Sequence, residues 1–521
     1  LTKLLGWLDR NILELGRELR WSYLPPLMVY TAAGVSGLTG IVGTFFIKEY
    51  LDLSAEFLAV VGFWAGIPWA LKMPVGHLVD LIWRWKAALV WLGAALIAAS
   101  LAVMYGLIAH TAAMRAVMPA ASWFVVAALL SPIGYMVQDA VADAMTVEAV
   151  PRLDERGRRY DAAALKLMHT TMQTLGRVAI IGGTVLVALA NVWLFRGVEK
   201  LPQAAKAALY ADVHVYALVI PALSVAGVVL HAFLKHPRPA LERTEPNWWI
   251  LGGSLAFVVI VLGVGLGGVR YGQELIFGGS LAVILFLLWR LARELEPHAR
   301  EVLVATALVI FVYRSMPSAG AGTTWWQIDV LGFDQAFIAR LTLISSVLTL
   351  AGMFVFRRFM AERSIAYIVV VLTLASVVLA APYIGMYYGL HEWTAARTGG
   401  VVDARFIALV DTALESPLGQ IAMIPMLAWI ANSAPSNLKA TYFAVMASFA
   451  NLALSASQLG TKYLNQVFVV TREVRDPATG AVKVPADYSD VGFLLLGATA
   501  VGLALPLAAA AAVRMLRLRT A

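Results

Sequence analysis

Apolar residues run along this chain in unbroken stretches of about 20, the length of helix that crosses a lipid core, and short polar segments separate them. The stretches are continuous, not alternating, which argues against a membrane β-barrel. They predict transmembrane helices at 23–47, 57–82, 86–109, 122–149, 162–194 and 213–234, then at 300–320, 336–357, 364–385, 403–431, 437–464 and 489–514. Two further runs, 249–269 and 272–291, lie between these sets and meet at the tight turn Arg270-Tyr271-Gly272. The expected fold is an all-α polytopic membrane protein: a six-helix half over 23–234, an inserted two-helix hairpin within a linker over 235–299, and a second six-helix half over 300–521. That makes 14 helices. A hairpin has even parity, so both halves keep one orientation, as parallel repeats require.

Before the first run, Leu5, Leu8, Ile12, Leu13 and Leu15 are set against Arg10, Glu14, Arg17 and Glu18 near helical spacing. The 1–22 segment therefore predicts an amphipathic helix lying in the membrane interface, and an ordinary solvated helix fits the same pattern. No cleavable signal peptide is expected from the residues that follow Leu1.

Composition agrees with the pattern. Of 521 residues, 60% are hydrophobic and 14% charged, against about 25% charged in a soluble domain. The net charge of +8 points to basic cytoplasmic loops, not to nucleic acid. Lysine and arginine favour one side by about two to one when the N-terminus is placed inside, so both termini are expected in the cytoplasm of a bacterial inner-membrane protein. There is no cysteine, which excludes disulfides, thiolate metal sites and cysteine nucleophiles. The longest outer loop, about 465–488, carries Asp476-Pro477, Thr479-Gly480 and Pro485, turn chemistry that suits a small hairpin or a mobile loop.

Short echoes relate the halves. Leu51 to Ala59 resembles Leu331 to Ala339, and Ser131-Pro132-Ile133-Gly134 in the fourth helix resembles Ser416-Pro417-Leu418-Gly419 in the tenth. Duplicated halves place a substrate cavity between them near the midplane.

Charge inside a bilayer is costly and marks a functional candidate. Lys72 sits well inside the second run, flanked by Trp64 and Trp69, whose rings could stack on a flat ligand. Asp139 and Asp143 are four apart on the fourth helix and share a face. Proton coupling, substrate ligation and a structural ion pair are all open for them. Glu148 falls roughly opposite and is expected to join the basic loop Arg152, Arg156, Arg158 and Arg159. The fifth helix bears Lys166, Thr170, Gln173 and Arg177 along one face, with His169 at its edge. That stripe reads as a cavity wall or as glue between helices. An Asp139–Arg177 pair is expected, with Asp143 nearer Lys166. In the second half, Arg314 precedes Pro317, which should break the seventh helix and release a carbonyl. Asp411 and Glu415 repeat the four-residue carboxylate spacing on the tenth helix, and Ser448, Asn451, Ser455, Gln458 and Lys462 form a stripe on the eleventh. Gly34, Gly37, Gly40 and Gly43 crowd the first helix; the first three recur every three residues and read as packing sites. No phosphate loop, zinc signature or serine–histidine–acid arrangement is present, so neither an enzyme nor a cofactor is expected.

Gly76, Asp80, Arg84 and Lys86 resemble the loop signature of the major facilitator superfamily, Gly-x-x-x-Asp-Arg-x-Gly-Arg-Arg, from which Leu81 and Trp83 depart. The longer string Pro68-Trp69-x-x-Lys72-x-x-x-Gly76-x-x-x-Asp80 resembles the folate-biopterin transporters within that superfamily. Val29 to Leu53, the Asp139–Asp143–Val147–Glu148 pattern, Met316-Pro317-Ser318 and Ile421 to Ser448 extend the resemblance. Lys439 departs where a glutamate is expected. The resemblance implies proton-coupled uptake of a folate or pterin by alternating access. Lys72, Trp69, Arg177, Gln173 and Arg314 would then bind the anion. Asp139, Asp143, Asp411 and Glu415 would handle protons, and Gly76, Asp80 and Arg84 would form a gating loop. The same charges suit other organic anions, such as an amphiphilic cell-wall fragment. A non-transporting assembly factor for pigment–protein complexes is a third reading.

Overall fold

The structure, a computed structural model, describes residues 17, 19–51, 53–70, 72–82, 85–151, 157–158, 160–234, 246–267, 269–293, 295–423, 425–426, 439–475 and 482–520. It is nearly all helix. The 1–22 segment lies almost wholly outside the described residues.

The chain opens with α1 (Leu24–Gly34), a 3-10 turn at Val35–Thr39 and α2 (Gly40–Tyr50). Next come α3 (Ala55–Ala70), α4 (Lys72–Leu81), α5 (Lys86–Ala109), α6 (Thr111–Val117), α7 (Ala120–Ala149) and α8 (Ala162–Leu194). They are followed by α9 (Gln203–Tyr216), α10 (Val219–Phe233), α11 (Trp248–Leu266), α12 (Gly272–Ala292) and α13 (Pro297–Arg314). The remaining helices are α14 (Ala321–Asp329), α15 (Gln335–Val355), α16 (Arg357–Glu362), α17 (Ile365–Tyr387), α18 (Leu390–Arg397), α19 (Ala404–Glu415), α20 (Lys439–Val467) and α21 (Val491–Met515).

Eleven stretches among the described residues are long and apolar enough to cross a membrane. They match the expected first-half runs, the inserted hairpin and the runs at 336–357, 364–385 and 489–514. The other three expected spans, 300–320, 403–431 and 437–464, are not among the eleven. α13 begins with His298, Arg300 and Glu301, α19 stops at Glu415 before a 3-10 turn, and α20 carries a polar stripe. α19, at 12 residues, is too short to span, and polar residues lower the apolarity of α13 and α20. The sixth span starts earlier than its apolar run suggests, at Gln203, because α9 is amphipathic and follows Pro202. Pro221 cannot donate to the Ala217 carbonyl, so the chain turns between α9 and α10, and the Ile220 amide takes that carbonyl at 2.9 Å.

Contacts group the chain into two compact units. One comprises Leu1–Gly40, Val75–Leu194 and Leu201–Pro246; the other comprises Ile41–Pro74, Phe195–Lys200 and Asn247–Ala521. In the first unit, small residues let helices meet backbone to backbone. A Cβ on Gly34 would stand 2.2 Å from the Ile180 carbonyl oxygen, and one on Gly183 would stand 2.8 Å from Gly34 Cα. Gly34 is therefore a packing site, as its spacing suggests. A Cβ on Gly40 or Gly43 would meet nothing within 4 Å, so the glycine run is not one continuous seam.

In the second unit, Phe63, Ile67 and Ala70 of α3 share one core with Phe257 of α11, Ile276 and Leu287 of α12, and Phe449 of α20. The inserted hairpin is thus built into the core of this unit. The 465–488 loop forms a two-stranded antiparallel hairpin, β1 (Val474–Arg475) and β2 (Val482–Val484), with Val474 opposite Val484. A further bridge pairs Thr471 with Asp487.

Candidate functional site

The first unit gathers its membrane charges around a tyrosine. Tyr30 is 5% exposed, and its hydroxyl donates to Asp143 Oδ1 at 2.6 Å. A Cβ on Gly176 would lie 2.9 Å from the Tyr30 ring, so α8 dispenses with a side chain where that ring lies. Asp139, Asp143 and Arg177 all act electrostatically on the same hydroxyl. Asp139 and Arg177 thus both lie within electrostatic reach of Tyr30. Asp143 has Tyr30 as a partner; the side chains of Lys166, His169, Thr170 and Gln173 lie outside the described residues. A tyrosine in an apolar run carries no sequence signal of this role.

A second cluster corrects the expectation for Glu148. Its carboxylate pairs with Lys86 and lies 3.3 Å from His231 Nε2, in place of the basic loop. α5 and α10 both bring a basic side chain to the end of α7; Arg152, Arg156 and Arg159 of the expected loop lie outside the described residues. Lys86 is 8% exposed, and pairing offsets the cost of burying an ammonium. This ties the last cation of the facilitator-like motif to α7. Of the other motif residues, Gly76 lies in α4 with open space where a Cβ would stand, the Asp80 side chain is not described, and Arg84 lies outside the described residues.

The second unit holds the remaining candidates. Lys72 is half-buried at the first position of α4. The Trp69 carbonyl, just before it, accepts from Asn451 Nδ2 at 3.2 Å. That bond belongs to a longer antiparallel seam. A Cβ on Gly66 would come 2.8 Å from Ser455 Oγ and one on Gly62 would come 2.6 Å from Gln458 Oε1, while Gln466 donates to Glu56 at 2.6 Å. The α20 stripe is thus helix-to-helix glue against the glycine face of α3. Lys462 leaves the seam and pairs with Glu274 of the inserted hairpin at 2.9 Å, where the Tyr463 hydroxyl also donates.

The expected break at Pro317 is present. α13 ends at Arg314, and beyond its end the Met316 carbonyl accepts from Ser457 Oγ at 2.6 Å. The Arg314 side chain turns towards α20, donating through Nε to the Ala450 carbonyl at 2.9 Å and reaching Met423 Sδ at 3.3 Å. Asp411 and Glu415 share a helix but not an environment: Asp411 is 3% exposed, whereas Glu415 is exposed. Among the described residues, no group of histidines and acids is placed to hold a metal ion.

At one end of this unit a cavity of about 360 Å³ is lined by Glu56, Trp325, Asn465 and Arg472 among others. Arg472 donates to the Lys48 carbonyl at 2.8 Å and to the Leu53 carbonyl at 2.5 Å, and lies over the Trp325 ring. Lys48 in turn pairs with Asp329 at 2.5 Å, and the Tyr488 hydroxyl donates to the same carboxylate. Burial and that hydrogen bond push the Tyr488 phenol far up, so it stays a donor. This network straps the β-hairpin to the α2–α3 connection.

Some known proteins resemble this chain in sequence and others in fold. Residues 287–513 match the BT1 family. The chain is 24% identical over 457 residues to the folate-biopterin transporter of a Synechocystis species, covering 87% of this chain and 76% of that one. It is 26% identical over 169 residues to the putative folate transporter 2 of Plasmodium berghei, covering 31% of this chain and 34% of that one. Among solved structures, a POT family transporter in complex with 5-aminolevulinic acid superposes with a TM-score of 0.60 at 12% identity, covering 94% of both chains. The nucleoside transporter NupG superposes with a TM-score of 0.51 at 12% identity, covering 95% of this chain and 99% of that one. The fold is the major facilitator fold, the BT1 match runs from the end of α12 through most of the second half, and each of these relatives is named as a transporter.

Proposed function

We propose that this BT1-like chain is a secondary active transporter that moves a folate or pterin anion across the bacterial inner membrane by alternating access, driven by protons. The observation that carries this reading is the alignment with the Synechocystis folate-biopterin transporter over 87% of the chain. Lys72, Trp69, Arg177, Gln173 and Arg314 are the proposed anion contacts, and Gly76, Asp80 and Arg84 the gating loop. Asp139, Asp143, Asp411 and Glu415 are the proposed proton-handling groups. Asp143 accepts a hydrogen bond from the Tyr30 hydroxyl at 2.6 Å, which sets a proton-bearing group beside that carboxylate. The positive-inside asymmetry favours both termini in the cytoplasm.

Binding to purified protein tests the substrate class. Folates and pterins should compete with one another for a saturable site, and unrelated organic anions should not. Saturable binding of an amphiphilic anion with none of a folate or pterin would replace the substrate. Stable co-purification with a pigment protein, with no small-molecule binding, would replace transport altogether.

A further inference from the structure

α19 is two-faced. Ala404, Ile407, Ala408 and Asp411 are buried, while Phe406, Val410 and Leu414, spaced four apart, are 42%, 43% and 58% exposed. Glu415 does not belong with the exposed apolar row. It continues the buried row one turn beyond Asp411, yet it is itself exposed. Packing on the inward face is therefore interrupted at Glu415, between buried Asp411 and buried Ser416, where the helix gives way to the 3-10 turn Ser416–Leu418.

Two aromatic side chains pack on the clusters that flank Glu415 in the chain. Tyr383 packs on the cluster that holds Ile407 and Ala408, before Glu415 in the chain. Tyr313 packs on the cluster that holds Leu418, Ile421 and Ala422, after it. Both hydroxyls feel the Glu415 charge. Behind it, Asp411 Oδ1 is buried with no hydrogen-bond partner. A polar atom so placed is costly to leave without a partner. Arg314 is bonded to the Ala450 carbonyl, and no Arg314–Glu415 ion pair is present among the described residues.

We propose that Glu415 is a ligand-binding carboxylate, which takes the donor edge of a flat, amidine-like heteroaromatic ring held between Tyr313 and Tyr383. This deepens the transporter reading and rests on it for the natural ligand. A carboxylate accepts two parallel N–H bonds from such an edge, and tyrosine faces supply the flat contact. Glu415 then serves substrate, and the proton role in this helix falls to Asp411 alone.

The test is equilibrium binding to the purified full chain with three probes: pterin, the same ring lacking its 2-amino group, and benzamidine. The parent should bind pterin at least about tenfold more tightly than the desamino ring, the loss expected when a carboxylate covered by the ligand is left without its donor. Glu415→Ala should bind the two rings alike and lose benzamidine, with an unchanged melting temperature. Equal binding of pterin by the parent and by Glu415→Ala overturns the site, as does a parent that does not distinguish the two rings. If the parent ignores pterin but binds benzamidine through Glu415, the site stands and the folate reading fails. If it binds neither, the site falls. Should Glu415→Ala not fold, the parent's preference between the two rings decides.

Discussion

Replacing Glu148 by Gln should destabilise the protein more than replacing its partner Lys86 by Met. The Lys86 side chain is 11% exposed and the Glu148 side chain 24%. Removing one member of a fully buried pair costs about 3–5 kcal/mol because the other charge remains. With about four-fifths of the two side chains withdrawn from solvent, the cost of Glu148→Gln falls to about 2–4 kcal/mol. That variant strips a carboxylate from both Lys86 and His231, which lies 3.3 Å from it. Lys86→Met leaves Glu148 with His231 and removes the costlier buried cation, so about 1–2 kcal/mol is expected. The double variant should recover most of the loss, since no ion is left to desolvate. Thermal unfolding of the four proteins in one detergent, followed by tryptophan fluorescence and by size-exclusion profile, reads the cycle. A Glu148→Gln variant as stable as the parent would refute the reasoning, and so would additive losses in the double variant.

Gly34→Val places side-chain atoms where a Cβ alone would stand 2.2 Å from the Ile180 carbonyl oxygen. It should cost about 1–3 kcal/mol or more by overpacking, whereas Gly40→Val, with open space around it, should melt near the parent. Asp139→Asn and Arg177→Gln should each lower accumulation in membranes, and the double variant should restore the protein but not transport; additive loss would show that the two charges do not compensate. Lys72→Met should insert as well as the parent yet lose transport of an anion, and normal transport would assign Lys72 to a peripheral role.

The fold was legible because lipid leaves few choices. Backbone polar groups must be satisfied within each spanning segment, so continuous apolar runs mark helices directly, and the hairpin at 249–291 stood out. Three helices fall short as apolar spans, α13 and α20 through their polar residues and α19 through its length of 12 residues. Periodicity exposed the α20 stripe but not what it faces. Nothing in the spacing of Asn451, Ser455 and Gln458 points to Gly62, Gly66 and the Trp69 carbonyl. Long-range pairs were equally hidden. Glu148 meets Lys86 across 62 residues and Glu274 meets Lys462 across 188, and each residue alone looks like an ordinary helix-end charge. Tyr30 was invisible for the opposite reason, as an aromatic among apolar residues is expected to pack. The four-residue spacing of Asp411 and Glu415 implied equivalence, and it took the local end of packing to separate them.

The most direct test of proton-driven folate or pterin transport is uptake of labelled substrate into proteoliposomes containing the purified chain, with and without an imposed pH gradient. The account predicts concentrative uptake that requires the inward proton gradient, is abolished by a protonophore, and is competed by unlabelled folate or pterin. Uptake of neither compound, by correctly inserted and thermally stable protein under either gradient, would contradict it.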